Sequence, residues 1–427
     1  MEKENIPLIR VENLKKYYPV KGGIITHTTG YVKAVDGVSF SVMRGQTLGL
    51  VGESGCGKST IGRQLVGLET PTEGKIYYDG VDLAALQKDR KQMREVRTRL
   101  QMIFQDPYSS LNPRKHIYEI LAQPMLYHQI ARRDTVEKEI LRLLDMVGLP
   151  RTVLGRYPHE FSGGQRQRIG IAKALSLNPE FIVCDEPVSA LDVSIQAQIL
   201  NLLKELQKEL GLTLLFVGHG LGAVNYVSDQ IAVMYLGKIV EYGDAKEIFH
   251  HPVHPYTQAL LEAVPIPDPT EKGRERSLLQ GEIGSSTCPP EGCRFHPRCP
   301  HATAQCRQEI PEMQEVNGTV GKALEADAES RRAQGRNAGS VKAWEADTES
   351  VKPWEADTES MKTREADTGS GKAWEADTGS GRMRAAEIGD RRTGDQEQAE
   401  NPGVHMTACP VVLNGQAEAR KLWGNIF

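Results

Sequence analysis

The sequence predicts an α/β fold built on a parallel sheet, and three observations carry that prediction. Short, continuous apolar runs recur at Thr47-Leu48-Gly49-Leu50-Val51, Phe181-Ile182-Val183-Cys184, Thr213-Leu214-Leu215-Phe216-Val217 and Ile231-Ala232-Val233-Met234-Tyr235. Such runs suit strands that are covered on both faces. Helical patterns lie between them: from Ile195 to Leu210, the residues Ile195, Ile199, Leu202, Leu203 and Leu206 share one face. The first run leads at once into a glycine loop, as a strand does before a phosphate-binding turn. Strands that alternate with helices imply a parallel sheet.

At 427 residues the chain is long enough for two or three domains. Its formal net charge of -4 gives no reason to expect a nucleic-acid partner, because such binders concentrate positive charge on one face. Met1 to Arg10 carries Glu2 and Glu4 and no apolar core, so it does not read as a secretory signal. No stretch approaches the roughly 18 apolar residues of a spanning helix. The expectation is a soluble chain that reaches a membrane through a partner. Seven cysteines are present, Cys56, Cys184, Cys288, Cys293, Cys299, Cys306 and Cys409. Without a secretory signal they point to metal binding or catalysis rather than to a disulfide framework.

The composition divides the chain into four parts. Residues 1–265 read as the α/β domain. Pro265-Ile266-Pro267-Asp268-Pro269 marks a boundary, and residues 266–310 form a cysteine-rich extension. Residues 311–405 hold a ten-residue repeat: Val341 to Ser350 recurs as Val351 to Ser360, with looser copies from Met361 to Ser370 and from Gly371 to Ser380. Gly321 to Ser330 keeps the same phase. The tract is polar, charged and poor in aliphatics, so it is predicted to be disordered. A docking tail that uses Trp344, Trp354 and Trp374 is the alternative. Residues 406–427 close the extension.

Gly52-Glu53-Ser54-Gly55-Cys56-Gly57-Lys58-Ser59 matches G-x-x-x-x-G-K-S/T throughout, between a strand and a helix start. Backbone N–H groups of the loop, continuing to Thr60, can wrap phosphates. Lys58 offers a charge to the β- and γ-phosphates of a nucleotide, and Ser59 offers its hydroxyl to Mg²⁺. Asp185 and Glu186 end an apolar strand: Asp185 can hold Mg²⁺ through water, and Glu186 can polarise an attacking water, which is the positioning that phosphoryl transfer requires. Ser162-Gly163-Gly164-Gln165, within Phe161 to Arg168, is a second anion nest ahead of a helix. Two nests on one chain make sense if the second closes over a nucleotide held by another subunit.

Phe161 to Arg168 closely resembles the signature motif of ATP-binding-cassette proteins, and further motifs follow in the family's order. Gln105 resembles the glutamine that meets Mg²⁺ and water. Ser189-Ala190-Leu191-Asp192 resembles the loop that joins two ATP sites, with Asp192 at its end. His219 resembles the switch histidine at the γ-phosphate. Tyr17 resembles the aromatic that stacks on adenine, with Tyr18 as its competitor. The resemblance spans roughly Ile9 to Glu241. It implies a P-loop nucleotide-binding domain with a helical signature subdomain, and an ATPase with Glu186, His219 and Gln105 at its catalytic centre. Gly218-His219-Gly220 stands where the family usually has Ser-His-Asp, so slower hydrolysis is expected.

Asp106 to Arg114, Met234 to Glu241 and His251 to Thr257 resemble the oligopeptide and dipeptide importers within that family. This implies an ATPase subunit at the cytoplasmic face of the cell membrane, working as a heterodimer with a homologous ATPase, two permeases and an external solute-binding protein. A nickel or other small-solute importer is the alternative within the subgroup. A weakly hydrolysing regulatory subunit is an alternative from another class. A cassette ATPase with no transporter usually carries two cassettes or a long coiled coil, and this chain has neither. Cys293, Cys299, Cys306 and Cys409 could supply four thiolates to zinc or to an iron–sulfur cluster. The segment resembles the C-terminal segment of peptide-importer ATPases, some of which carry a four-iron cluster, and that resemblance tips the expectation to 4Fe–4S.

Overall fold

The computed structural model describes residues 6–22, 27–264, 281–316 and 405–409. Met1–Asp327 and Gly403–Phe427 form one compact unit, to which every described residue belongs. The repeats, with Trp344, Trp354 and Trp374, lie outside the described residues.

The strands run β1 (Ile9–Gly22), β2 (His27–Val42), β3 (Thr47–Val51), β4 (Glu73–Tyr78), β5 (Val81–Asp82), β6 (Leu100–Ile103), β7 (Phe181–Asp185), β8 (Thr213–Gly218), β9 (Gln230–Tyr235), β10 (Lys238–Asp244), β11 (Gln314–Glu315) and β12 (Met406–Thr407). One sheet has the order β2-β1-β4-β5, and the other β11-β12-β10-β9-β3-β8-β7-β6. In the larger sheet β6, β7, β8, β3 and β9 are parallel. The strands β3, β7 and β8 are buried along their whole length, as their unbroken apolar composition demands. All four apolar runs read as strands are strands.

Two apolar cores flank the larger sheet. One, with Leu48, Leu50, Phe181, Leu215 and Val217, also takes Ile9, Val11, Leu14 and Val38 from the antiparallel sheet. The other, with Ile103, Ile182, Leu214 and Phe216, takes the helices Ile117–Tyr127, Val136–Met146 and Gly163–Leu175. In the first of these helices Ile117, Ile120, Leu121 and Met125 are buried, the spacing of a single helical face. The predicted helix runs Val193–Leu210 and buries Ile199, Leu202, Leu203 and Leu206, with Ile195 half-buried. It ends at Gly211, which is left-handed as a helix C-cap requires.

The cysteine-rich segment packs into the same core. Phe295 is almost fully buried, with ring centroids 5.3 Å from Tyr235, 5.4 Å from Tyr256 and 5.7 Å from His254. The chain returns after the repeats: β12 pairs antiparallel with β10 and with β11. The Val316 N–H donates to His405 O at 2.8 Å, so the two ends of the stretch 317–404 meet on the sheet edge.

Candidate nucleotide site

Four parallel strands deliver the candidate residues at their carboxyl ends. The loop 52–59 follows β3, Gln105 follows β6, Asp185 ends β7 with Glu186 next, and Gly218 ends β8 with His219 next. The crevice beyond the carboxyl ends is where open parallel sheets hold ligands.

In the loop, a Cβ at Gly52 would stand 2.1 Å from Met234 O, and one at Gly57 would stand 2.1 Å from Ala34 O. The loop can follow this path only with glycine at both positions. The helix Lys58–Leu65 then begins, with its unpaired N–H groups and positive dipole end at the loop. Lys58 is buried, and its Nζ donates to Gly52 O at 2.7 Å and to Glu53 O at 3.0 Å.

Ser59 Oγ donates to Asp185 Oδ1 at 2.8 Å. Asp185 is buried, and burial pushes its carboxyl above the usual carboxylate range, against the opposing effect of the Ser59 hydrogen bond. A divalent cation would supply the opposite charge that such a carboxylate needs, so this pair fits Mg²⁺ chemically. Glu186 has φ 45°, in the left-handed region that costs a non-glycine residue energy. Its N–H is held by Val217 O at 3.0 Å. The side chain accepts from Gln105 Nε2 at 2.7 Å, and His219 Nδ1 stands 3.7 Å from the same oxygen. Gln105 and His219 therefore meet at Glu186, the residue next to the Asp185 that bonds Ser59 of the phosphate loop.

The second nest stands apart, in the helical block. Ser162 caps the helix Gly163–Leu175: its N–H donates to Gln165 Oε1 at 3.1 Å, and Gln165 N–H donates to Ser162 Oγ at 3.4 Å. This is a capping box. Ser162, Gly163 and Gln165 are exposed. A Cβ on Gly164 would meet Ile195 at 2.5 Å, so the nest packs against the helix that Asp192 begins. Asp192 is itself exposed.

The two tyrosines part. The Tyr17 hydroxyl donates to Asp36 Oδ1 at 2.5 Å. The Tyr18 hydroxyl donates to Glu69, which also pairs at 3.7 Å with Arg63 of the helix that follows the phosphate loop. Geometry therefore places Tyr18, rather than Tyr17, beside that helix.

Three of the four cysteines are neighbours: Cys299 lies close enough to Cys293 and Cys306 for their charges to bear on its thiol. Cys293, Cys299 and Cys306 share the large core, whereas Cys409 packs with Val253 and Val316. Among the described residues, no three His, Cys, Asp or Glu side chains come close enough to hold one metal ion. Cys293 and Cys299 have thiols pushed up by burial, Cys299 to about 11. The set thus does not fit a single zinc ion with bonds of about 2.3 Å. Cys288 is exposed.

Some contacts at the site carry no signal in the sequence. Arg298 Nη1 and Nη2 reach Glu53 Oε2 and Oε1 at 2.7 and 3.1 Å. The Glu53 N–H donates to Tyr256 Oη at 2.9 Å. Arg294 is bonded to Asp36 and to Leu236 O. No periodicity or spacing links positions so far apart in the chain.

Among the described residues, no helix is long and apolar enough to cross a membrane. Residues 35–189 match the model of the ABC transporter family, and residues 240–306 match that of the oligopeptide/dipeptide transporter C-terminal region. The oligopeptide transport ATP-binding protein AppF of Bacillus subtilis is 51% identical over 312 residues, covering 72% of this chain and 94% of that protein. The oligopeptide transport ATP-binding protein OppF of Salmonella typhimurium is 50% identical over 311 residues, covering 72% and 92%. Among solved structures, CbiO1 of Clostridium perfringens, part of the ABC transporter complex CbiONQ, superposes with TM-score 0.50 at 27% identity, covering 57% of this chain and 91% of that one.

Proposed function

We propose that this chain, which belongs to the ABC transporter ATPases and to their oligopeptide/dipeptide transporter group, hydrolyses ATP to drive peptide uptake through partner permeases. The observation that carries the reading is the convergence of Ser59 on Asp185 and of Gln105 and His219 on Glu186.

In this reading the loop from Gly52 to Thr60 holds the phosphates, with Lys58 leaving its carbonyl partners for them. Mg²⁺, when bound, neutralises phosphate charge, and Ser59, Asp185 and Gln105 are the residues that would hold it. Glu186 orients and polarises the attacking water, and His219 reaches toward the γ-phosphate. The Glu69 that Tyr18 shares with Arg63 of the phosphate-loop helix supports Tyr18 as the base-stacking aromatic. The exposed Ser162–Gln165 nest and Asp192 face a second cassette, so ATP lies between two subunits. That second cassette is a homologous partner, and an external solute-binding protein delivers the peptide. The domain limits at 265, 310 and 405 and the four-iron cluster on Cys293, Cys299, Cys306 and Cys409 belong to the proposal as well. Three thiols in one core support the cluster, and brown, iron- and sulfide-containing protein from anaerobic purification would establish it.

The test is ATP hydrolysis and peptide uptake by the assembled complex in vesicles. Uptake that requires ATP and stops in the Lys58→Ala complex supports the reading, and uptake that is indifferent to ATP rejects it. Isolated chain should hydrolyse ATP weakly and with a rate per molecule that rises with concentration.

A further inference from the structure

We propose that the cysteine-rich loop is a strut for the phosphate-binding loop, and that Arg298 is the positioning residue that holds and neutralises Glu53. The proposal rests on the ATP-site reading above and adds a residue to it.

Glu53 is the only acidic residue in the loop Gly52 to Ser59. A free carboxylate there would repel the phosphates that the loop exists to bind. Arg298 closes a two-pronged ion pair on it, at 2.7 and 3.1 Å. The side-chain exposure of the two partners is only 6% and 23%. Parallel N–H···O bonds of this kind fix orientation as well as charge, and a sheltered pair escapes most salt screening. Glu53 is gripped at a further point, its N–H by Tyr256 Oη, while the Lys58 Nζ contact to its carbonyl is the one given up to the phosphates. Arg298 and Tyr256 both lie in the carboxyl-terminal part of the chain, so the loop's second residue is set from there.

The strut has a firm base. Phe295 is enclosed by Tyr235, Tyr256 and His254. Cys293 N–H donates to Cys306 O at 2.8 Å, which closes the loop on itself. The buried Arg294 ties the same loop to Asp36 and to Leu236 O. Arg298 is therefore held on a rigid element, and that spares the phosphate loop part of the ordering cost that binding otherwise carries.

The experiment compares ATP KM, kcat and melting temperature in the assembled complex for wild type, Arg298→Ala, Arg298→Lys, Glu53→Gln and the double variant Arg298→Ala/Glu53→Gln. Arg298→Ala should raise KM about tenfold, the size of one lost charged pair, with a smaller fall in kcat. Arg298→Lys should recover part of this, because an ammonium restores the charge but not the fork. The double variant should recover most of it, because the unpaired carboxylate is gone; a double-mutant cycle isolates that coupling. Unchanged KM in Arg298→Ala with only a lowered melting temperature would overturn the proposal in favour of a purely structural staple. A double variant as weak as Arg298→Ala would also overturn it. A wild-type complex that neither binds nor hydrolyses ATP would overturn the ATP-site reading itself, which a failure confined to the Arg298 variants would leave standing.

Discussion

Gln105 Nε2 donates to Glu186 Oε2 at 2.7 Å. The two residues follow β6 and β7, which are paired in parallel, so the sheet itself sets their spacing. An amide can make this bond to a carboxylate or to an amide oxygen, and the contact therefore survives Glu186→Gln. That variant keeps the loop and Asp185 but loses the carboxylate proposed to polarise water. It should bind ATP normally and hydrolyse it about 10²–10⁴ times more slowly, the range for loss of a positioned general base. Nucleotide titration beside single-turnover hydrolysis checks both halves, and parental turnover would refute the role of Glu186.

Much of this site was legible because its parts are local. Gly52 to Ser59 and Asp185-Glu186 each follow an unbroken apolar run, and a buried parallel strand has to end where such a run ends. The antiparallel sheet was less visible: β1 and β2 are long but half-exposed, and register shifts at Val11/Leu14 and Lys16/Tyr17 break the alternation that would mark them. Those shifts also hide which of Tyr17 and Tyr18 faces the phosphate-loop helix. Arg298 was not visible at all, because its pairing with Glu53 depends on how the whole extension docks.

The glycines around His219 differ from each other. A Cβ on Gly218 would meet Val224 Cγ2 at 2.7 Å, whereas Gly220 has open space around it. Gly220 is the N-cap of the helix Leu221–Val227, in extended conformation and with no side-chain cap. Gly220→Asp should therefore add a cap worth a few tenths of a kcal/mol and steady the loop that carries His219. Gly218→Ser should cost about 1–3 kcal/mol through overpacking. Thermal melts should move in opposite directions for the two variants, and kcat should rise in Gly220→Asp.

Deleting Val320 to Gly389 should leave ATP hydrolysis and stability unchanged, because both strands that meet at Val316 and His405 are retained. Truncation after Val316 should behave differently. Glu241 is fully buried and accepts from Val253 N–H, from His254 N–H and from His405 at 2.7 Å. Loss of His405 leaves that carboxylate short of a partner, at about 1–3 kcal/mol. Equal melting temperatures for the two deletions would show that the return strand contributes nothing.

Acid should loosen the join between extension and phosphate loop, through His254. Its ring is fully buried, and His254 Nδ1 accepts from Tyr256 N–H at 3.1 Å, so the neutral ring is the one that caps the helix Pro255–Glu262. Burial pushes its pKa down to about 4, against the opposing pull of Glu241. With an unfolded value near 6.5, the unfolded chain binds the proton first as pH falls. The stabilisation from His254 is thus complete above about pH 6.5 and is lost progressively toward about pH 4, with about 2 kcal/mol gone at about pH 5. His254→Asn keeps a capping oxygen but cannot titrate, so its stability should fall less than that of wild type between about pH 7.5 and 5. Wild type and variant with the same pH slope would show that His254 does not titrate in this window. The same cap orients Tyr256, whose hydroxyl takes the Glu53 N–H, so the ATP KM of wild type should rise over the window in which the melting temperature drops.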